Sequence, residues 1–150
     1  GKTAYPGNAM NNAVETNLAP NAVGNYPHAR RVGNLLFLSG IGPRSAIDNS
    51  IPGNVYRDDH SVETYDITAQ CHAVFANVQA VLNASDASFC DLVDVTVYLT
   101  DMANDFKTYN QIWAEYFPDA TLAPCRTTLG ITALPTQIAI ELKCTAVIKD

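Results

Sequence analysis

Apolar residues recur along this chain at two different periods, and the change of period separates helices from strands. Between positions 64 and 85, Ile67, Cys71, Val74, Phe75, Val78, Val81 and Leu82 fall three or four residues apart. That spacing makes one face of a helix, and Asp66 can cap its start. A second helix is expected over 104–117, with Phe106, Tyr109, Trp113, Tyr116 and Phe117 on one side and Pro118 as its stop. Elsewhere the period is two. Residues 92–99 set Val93, Val95, Val97 and Leu99 against Asp94, Thr96 and Tyr98, the signature of a half-buried strand. Residues 137–149 alternate through Ile138, Ile140, Leu142, Cys144, Ala146 and Ile148. Residues 125–131 read as a further strand, and 29–39 as a hairpin turning at Gly33-Asn34.

The remaining stretches are irregular. Residues 1–25 are punctuated by Asn8, Asn11, Asn12, Asn17, Asn21 and Asn25 and read as an arm with a short strand near 13–15. Residues 40–63 read as one long loop, and loops of such length are often functional. The order β-β-α-β-α-β-β makes a single α+β domain over 1–150. Two amphipathic helices cover only one face of its mixed sheet, so the other face meets solvent or another chain. With Thr127, Leu129 and Ile131 turned to the helices, Arg126 and Thr128 are expected on the uncovered face. Glu141, Lys143, Thr96 and Tyr98 join them there by the same alternation. An Arg and a Glu on the uncovered face of adjacent strands make the best site that patterning alone provides.

Composition narrows this picture. In 150 residues, 47% are hydrophobic and only 16% charged, against a usual quarter. Neutral surface on that scale suits burial between subunits. Nine basic against fifteen acidic residues leave a net charge of −6, which disfavours nucleic acid as a partner and a ribonuclease function with it. No apolar run approaches a membrane span, and no secretory signal is visible. Tyr5 stands where a myristoylation pattern starting at Gly1 needs Ser or Thr. Cys71, Cys90, Cys125 and Cys144 form no CxxC or CxH pair and are expected as free thiols in a cytoplasmic protein.

Several chemistries lack their motif. Gly40-Ile41-Gly42 has no third glycine for a dinucleotide, and Leu38-Ser39-Gly40 is no nucleophile elbow. His28, His60 and His72 lack ligand spacing, so no metal is expected. Lys2, Lys107, Lys143 and Lys149 have no recognisable Schiff-base context.

Other segments are more specific. Asn25-Tyr26-Pro27-His28-Ala29 precedes Leu36-Phe37-Leu38-Ser39-Gly40. Asp94-Val95-Thr96-Val97-Tyr98-Leu99 precedes Asn104-Asp105-Phe106. Pro124-Cys125-Arg126-Thr127-Thr128 precedes Leu134-Pro135 and Ile140-Glu141. Over residues 24–149 these segments resemble the RidA (YjgF/YER057c) family. The resemblance implies a chorismate-mutase-like α+β fold, a homotrimer or multiple of trimers, and sites in the clefts between subunits. It implies hydrolysis of reactive enamines and imines to ketones and ammonia, without metal or organic cofactor. Tyr26-Pro27-His28, Arg44-Ser45-Ala46 and Asp48-Asn49-Ser50 further resemble the 2-aminomuconate deaminase branch, which serves aromatic degradation. Thr128 stands where the archetype commonly has Cys, and Gly42-Pro43 replaces its Gln-Ile-Pro context, and both departures weaken the transfer of the archetype's substrate range to this chain.

A 2-aminomuconate substrate is a dicarboxylate bearing an enamine nitrogen. Arg126 suits its carboxylate, because a guanidinium grips one through two parallel hydrogen bonds. Glu141 suits orienting water and carrying a proton to the amine. Tyr26 can close the pocket, the backbone at Ser39 and Gly40 can approach the ligand, and Phe106 can wall it from a neighbouring subunit. The match places Thr128 beside Arg126, and Arg44 is the expected partner of the distal carboxylate, ahead of Arg30 and Arg31. A general 2-iminobutanoate/2-iminopropanoate deaminase is the alternative, and a non-catalytic ligand-binding or protein-protecting trimer is the second.

Overall fold

A computed structural model describes residues 12–149. The lipidation reading at Gly1 and Tyr5, and the first eleven residues of the arm, lie outside them. Six strands form one mixed sheet in the order β1-β2-β3-β8-β6-β7. They are β1 (Ala13–Val14), β2 (Ala29–Val32), β3 (Leu35–Leu38), β6 (Leu92–Leu99), β7 (Cys125–Gly130) and β8 (Ile140–Val147). Helices α1 (Ile67–Ala84) and α2 (Met102–Tyr116) pack against it. All neighbours are antiparallel except β6 and β7. A parallel pair needs a crossover, and α2 supplies it.

The periodicities translate directly into burial. Cys71, Val74, Phe75, Val78, Val81 and Leu82 of α1 meet Leu36, Leu38, Val95, Val97, Leu142 and Cys144 in one hydrophobic core. The Asp66 carboxylate accepts from Ala69 N–H and caps α1. Asp101 does the same for α2, which therefore starts two residues earlier than its apolar pattern. Phe106 lies at the rim of the α2 face and remains 38% exposed.

Four expectations are corrected. The loop 40–63 contains most of a small hairpin, β4 (Val55–Tyr56) with β5 (Val62–Thr64), too short for period two to be visible. Strand β8 begins at Ile140, not 137. Val93 leaves the alternation: the ladder shifts register between Leu92 and Asp94, so Leu92 is buried and Val93 exposed.

The fourth correction matters most. Strand β7 has the opposite phase to that expected. Arg126 and Thr128 pair in register with Val95 and Val97, whose side chains lie under the helices. Arg126 and Thr128 therefore face α2, while Thr127 and Leu129 face away. Strand β6 also separates β7 from β8. Within one chain, Arg126 and Glu141 occupy opposite faces of the sheet on non-adjacent strands.

Candidate active site

Two polar residues on the inner face of α1 position the loops around Glu141. Asn77 Nδ2 donates to the carbonyls of Gly42 and Arg44, both at 2.8 Å. Gln70 accepts from Ala139 N–H at 2.8 Å and donates to Asn54 at 3.0 Å. Ile41 and Leu142 then exchange two backbone hydrogen bonds of 2.9 Å. This bridge presses Gly40 against Glu141. A Cβ placed on Gly40 would lie 2.9 Å from Glu141 Oε2 and 3.0 Å from its Cδ.

Glu141 sits half-buried on the uncovered face, opposite Tyr98 of β6. Its carboxylate has no hydrogen bond or ion pair with any described residue, and among those residues the one ion pair joins His72 to Glu115. Burial alone raises its pKa, because nothing nearby compensates the lost hydration of the charge.

Ser39, Tyr26 and Arg44, also expected at the site, lie on the segments beside Gly40. Ser39 Oγ donates to the Pro27 carbonyl at 2.6 Å, and Ser39 N–H to the His28 carbonyl at 2.9 Å. The His28 ring accepts from Thr16 N–H at 3.3 Å through Nδ1, which leaves Nε2–H to donate to the Pro20 carbonyl at 2.7 Å. The arm is thereby tied beside Tyr26, which lines the same concavity as Ser39 and Gly40. Arg44 borders a small adjoining cavity with Tyr26, Ser39 and Gly40. Its guanidinium donates to the Asn21 carbonyl at 2.7 Å and to Asn49 Oδ1 at 3.0 Å. It clasps the loop to the arm.

The other expected residues lie at the far edge of the sheet. Arg126 stacks over Tyr109 and Trp113, its Cζ 5.1 and 4.9 Å from the ring centroids. The Tyr109 hydroxyl hydrogen-bonds Thr128 Oγ1 at 2.9 Å, and Phe106 meets the Tyr109 ring edge-on. A guanidinium over aromatic faces is weakly hydrated and held flat, and no carboxylate among the described residues pairs with it. The sequence pattern places Tyr109 and Trp113 on one side of α2 and gives them no role at the site. Their four-residue spacing on α2, opposite an Arg on the crossover strand, was the available signal.

The four cysteines are free. Cys71 and Cys144 are buried, with thiol pKa values pushed up by burial to about 12, so they are packing residues. Among the described residues no three His, Cys, Asp or Glu side chains gather as a metal site would need.

Gly40→Ala tests the contact with Glu141. Gly40 does not have positive φ, so the added methyl displaces the flexible carboxylate rather than strains the backbone. Turnover should fall about a hundredfold, the usual consequence of an ångström-scale misplacement, with the thermal midpoint nearly unchanged. A variant of full activity would show that the contact is unimportant.

A family model described as endoribonuclease L-PSP matches residues 16–148. Reactive Intermediate Deaminase A, chloroplastic, of Arabidopsis thaliana is 38% identical over 133 residues, 89% of this chain, which spans only 64% of that protein. A Dermatophagoides farinae protein named 2-iminobutanoate/2-iminopropanoate deaminase is 31% identical over 91% of this chain and 95% of its own. The crystal structure of Escherichia coli TdcF with bound serine superposes with a TM-score of 0.77 at 29% identity, covering 91% of this chain and 98% of that one. By motif, family model and fold, the chain belongs to the endoribonuclease L-PSP family, the RidA (YjgF/YER057c) family that its sequence resembles.

Proposed function

We propose that this protein is a deaminase that hydrolyses enamines and imines of 2-oxo acids, and that its active site is assembled from two copies of the chain in a homotrimer. One observation carries the reading: the residues for the reaction form two complementary half-sites on different surfaces. Glu141, Gly40, Ser39 and Tyr26 make one, with an unpaired carboxylate. Arg126, Thr128 and Phe106 make the other, with an unpaired guanidinium. Each holds part of the machinery, and a neighbouring copy supplies the rest, with the substrate between the carboxylate and the guanidinium. The names of the Arabidopsis and Dermatophagoides relatives and the serine bound to TdcF support an amino-acid-derived carboxylate as substrate.

The chemistry follows from the groups. Arg126 holds the substrate carboxylate through two N–H bonds. An enamine becomes an imine by moving a proton from its nitrogen to its carbon, with water or Glu141 as the relay. Water then adds to the imine carbon as Glu141 accepts its proton. Glu141 returns that proton to nitrogen, giving a carbinolamine, then carries the hydroxyl proton to the amine, so that the C–N bond breaks, ammonia leaves and the oxygen closes to a carbonyl with Glu141 again ionised. A carboxylate whose pKa is raised by burial suits both halves, being a stronger base and a carrier that keeps a proton nearer neutral pH. The finer reading is 2-aminomuconate, converted to 2-oxohexenedioate and ammonia. An RNA substrate fits less well, since a net charge of −6 opposes binding to its backbone.

Subunit mixing tests the assembly. Arg126→Ala and Glu141→Gln should each be nearly inactive alone with 2-iminobutanoate. Exchanged in equal amounts, three in four trimers are mixed and each regains one intact site in three, so about a quarter of wild-type activity should return. No recovery after verified exchange would place both residues in one chain's site and overturn the reading.

A further inference from the structure

The concavity lined by Gly40, which packs against Glu141, also holds two cations that form no ion pair with any described acid. It has a volume of about 450 Å3 and is lined by Tyr26, Arg30, Phe37, Ser39, Gly40 and Lys143, among others. Register explains the gathering. Arg30 lies opposite Phe37, and Phe37 opposite Thr145. Lys143 follows two residues along β8 on the same uncovered face, and Glu141 two further. The Lys143 ammonium donates to the Leu38 carbonyl, which leaves two of its three N–H donors for a ligand. Arg30 donates Nε–H to Asn12 Oδ1 at 2.8 Å, which leaves its terminal nitrogens without a partner among the described residues. Among the described residues the acids on this face are Glu141, Asp94 opposite Thr145, and exposed Glu15, two residues past the Arg30 partner Ala13. None of them forms an ion pair with Lys143 or Arg30.

We propose that Lys143, aided by Arg30, binds the second carboxylate of a dicarboxylate substrate whose reacting carbon lies at Glu141. The proposal rests on the deaminase reading and specifies its substrate class. Glu141 and Lys143 are one two-residue strand step apart, about 6.7 Å, which suits a six-carbon dicarboxylate with its amine beside one end. Arg44, expected for this task, already donates to Asn21 and Asn49. Lys143 instead has free donors, an open concavity and a short reach to the reacting centre. Burial lowers its pKa, so an arriving anion restores stabilisation that desolvation removes.

Lys143→Met keeps the aliphatic stem and removes the charge. Turnover is compared for 2-aminomuconate and for 2-iminobutanoate, which lacks the second carboxylate. The ratio of the two kcat/KM values should fall about tenfold or more against the dicarboxylate, chiefly through KM, as expected for one charge-assisted contact. Arg30→Gln should shift the ratio in the same direction by less. Equal losses with both substrates overturn the proposal. Calorimetric binding of muconate, an unreactive dicarboxylate, separates the two readings. If wild-type protein hydrolyses neither substrate, the deaminase reading fails, yet loss of muconate affinity in Lys143→Met still supports the subsite. Unchanged muconate affinity overturns it whatever the activity. Dissociation of Lys143→Met into smaller species with unchanged substrate preference also overturns it, because Lys143 would then serve a neighbour's acid.

Discussion

Glu141→Gln should reduce kcat on 2-iminobutanoate by about 10²- to 10⁴-fold, the range that general acid–base catalysis contributes, while substrate KM changes little. The amide matches the carboxylate in shape and stays against Gly40, so the pocket keeps its form. It cannot take a proton from water or return one to nitrogen. A variant retaining more than a tenth of wild-type kcat would remove Glu141 from the chemistry.

The same substitution should make the protein more stable, and the pH dependence of that gain identifies its cause. Burial raises the Glu141 pKa in the folded state above its ordinary value of 4.5. In the pH window between those two values the folded chain binds more protons than the unfolded one, so stability falls as pH rises. Above the folded pKa the penalty for burying the charge is complete. Below 4.5 the carboxyl is protonated in both states and the penalty vanishes. Glu141→Gln should therefore raise the thermal midpoint at pH 7 by a few degrees, and the difference should shrink towards zero near pH 4. A lower midpoint at pH 7 would mean that the carboxylate has a stabilising partner. Loss of activity with gain of stability marks a residue kept for its reaction.

How much of this was legible beforehand depended on how much redundancy each segment carried. Helix α1 has seven apolar residues in phase plus a cap at Asp66, and its extent was readable to within a few residues. Strands β6 and β8 each span eight residues, long enough for alternation to fix their inner faces, with Val93 lost only because a bulge resets the count. Strand β7 has six residues and an ambiguous set on each side. Leu129 suggested one phase by hydrophobicity. Arg126 packs its guanidinium on Tyr109 and Trp113 in the other, an aromatic contact that hydropathy does not register. Arg126 and Glu141 are named by pattern and motif, while their placement on opposite faces follows from register, Arg126 pairing with Val95 on the helix side of β6 and Glu141 with Tyr98 on the uncovered side. Lys143 was placed on the correct face, but the carbonyl and concavity that give it a role come from β3, over a hundred residues earlier in sequence.

Replacing Arg126 should produce the other large loss, and two variants separate its charge from its shape. Arg126→Ala removes both hydrogen bonds to the substrate carboxylate and opens space over Tyr109 and Trp113. Loss of a bidentate charge-assisted pair should lower kcat/KM by about 10²- to 10³-fold, mostly as a rise in KM. Arg126→Lys keeps a positive charge but has neither the planar fork nor the flat face that stacks on the rings. It should recover only about tenfold of that loss. A lysine variant with full activity would reduce Arg126 to a point charge, and an alanine variant with unchanged KM would leave the substrate carboxylate without its proposed partner. Because Arg126 stands on the helix side of the edge strand, away from Glu141, either loss should be repaired by a neighbouring subunit carrying an intact Arg126. Rescue by mixing distinguishes a missing substrate contact from a damaged core: a chain that cannot pack its own α2 against β7 gains nothing from a sound neighbour.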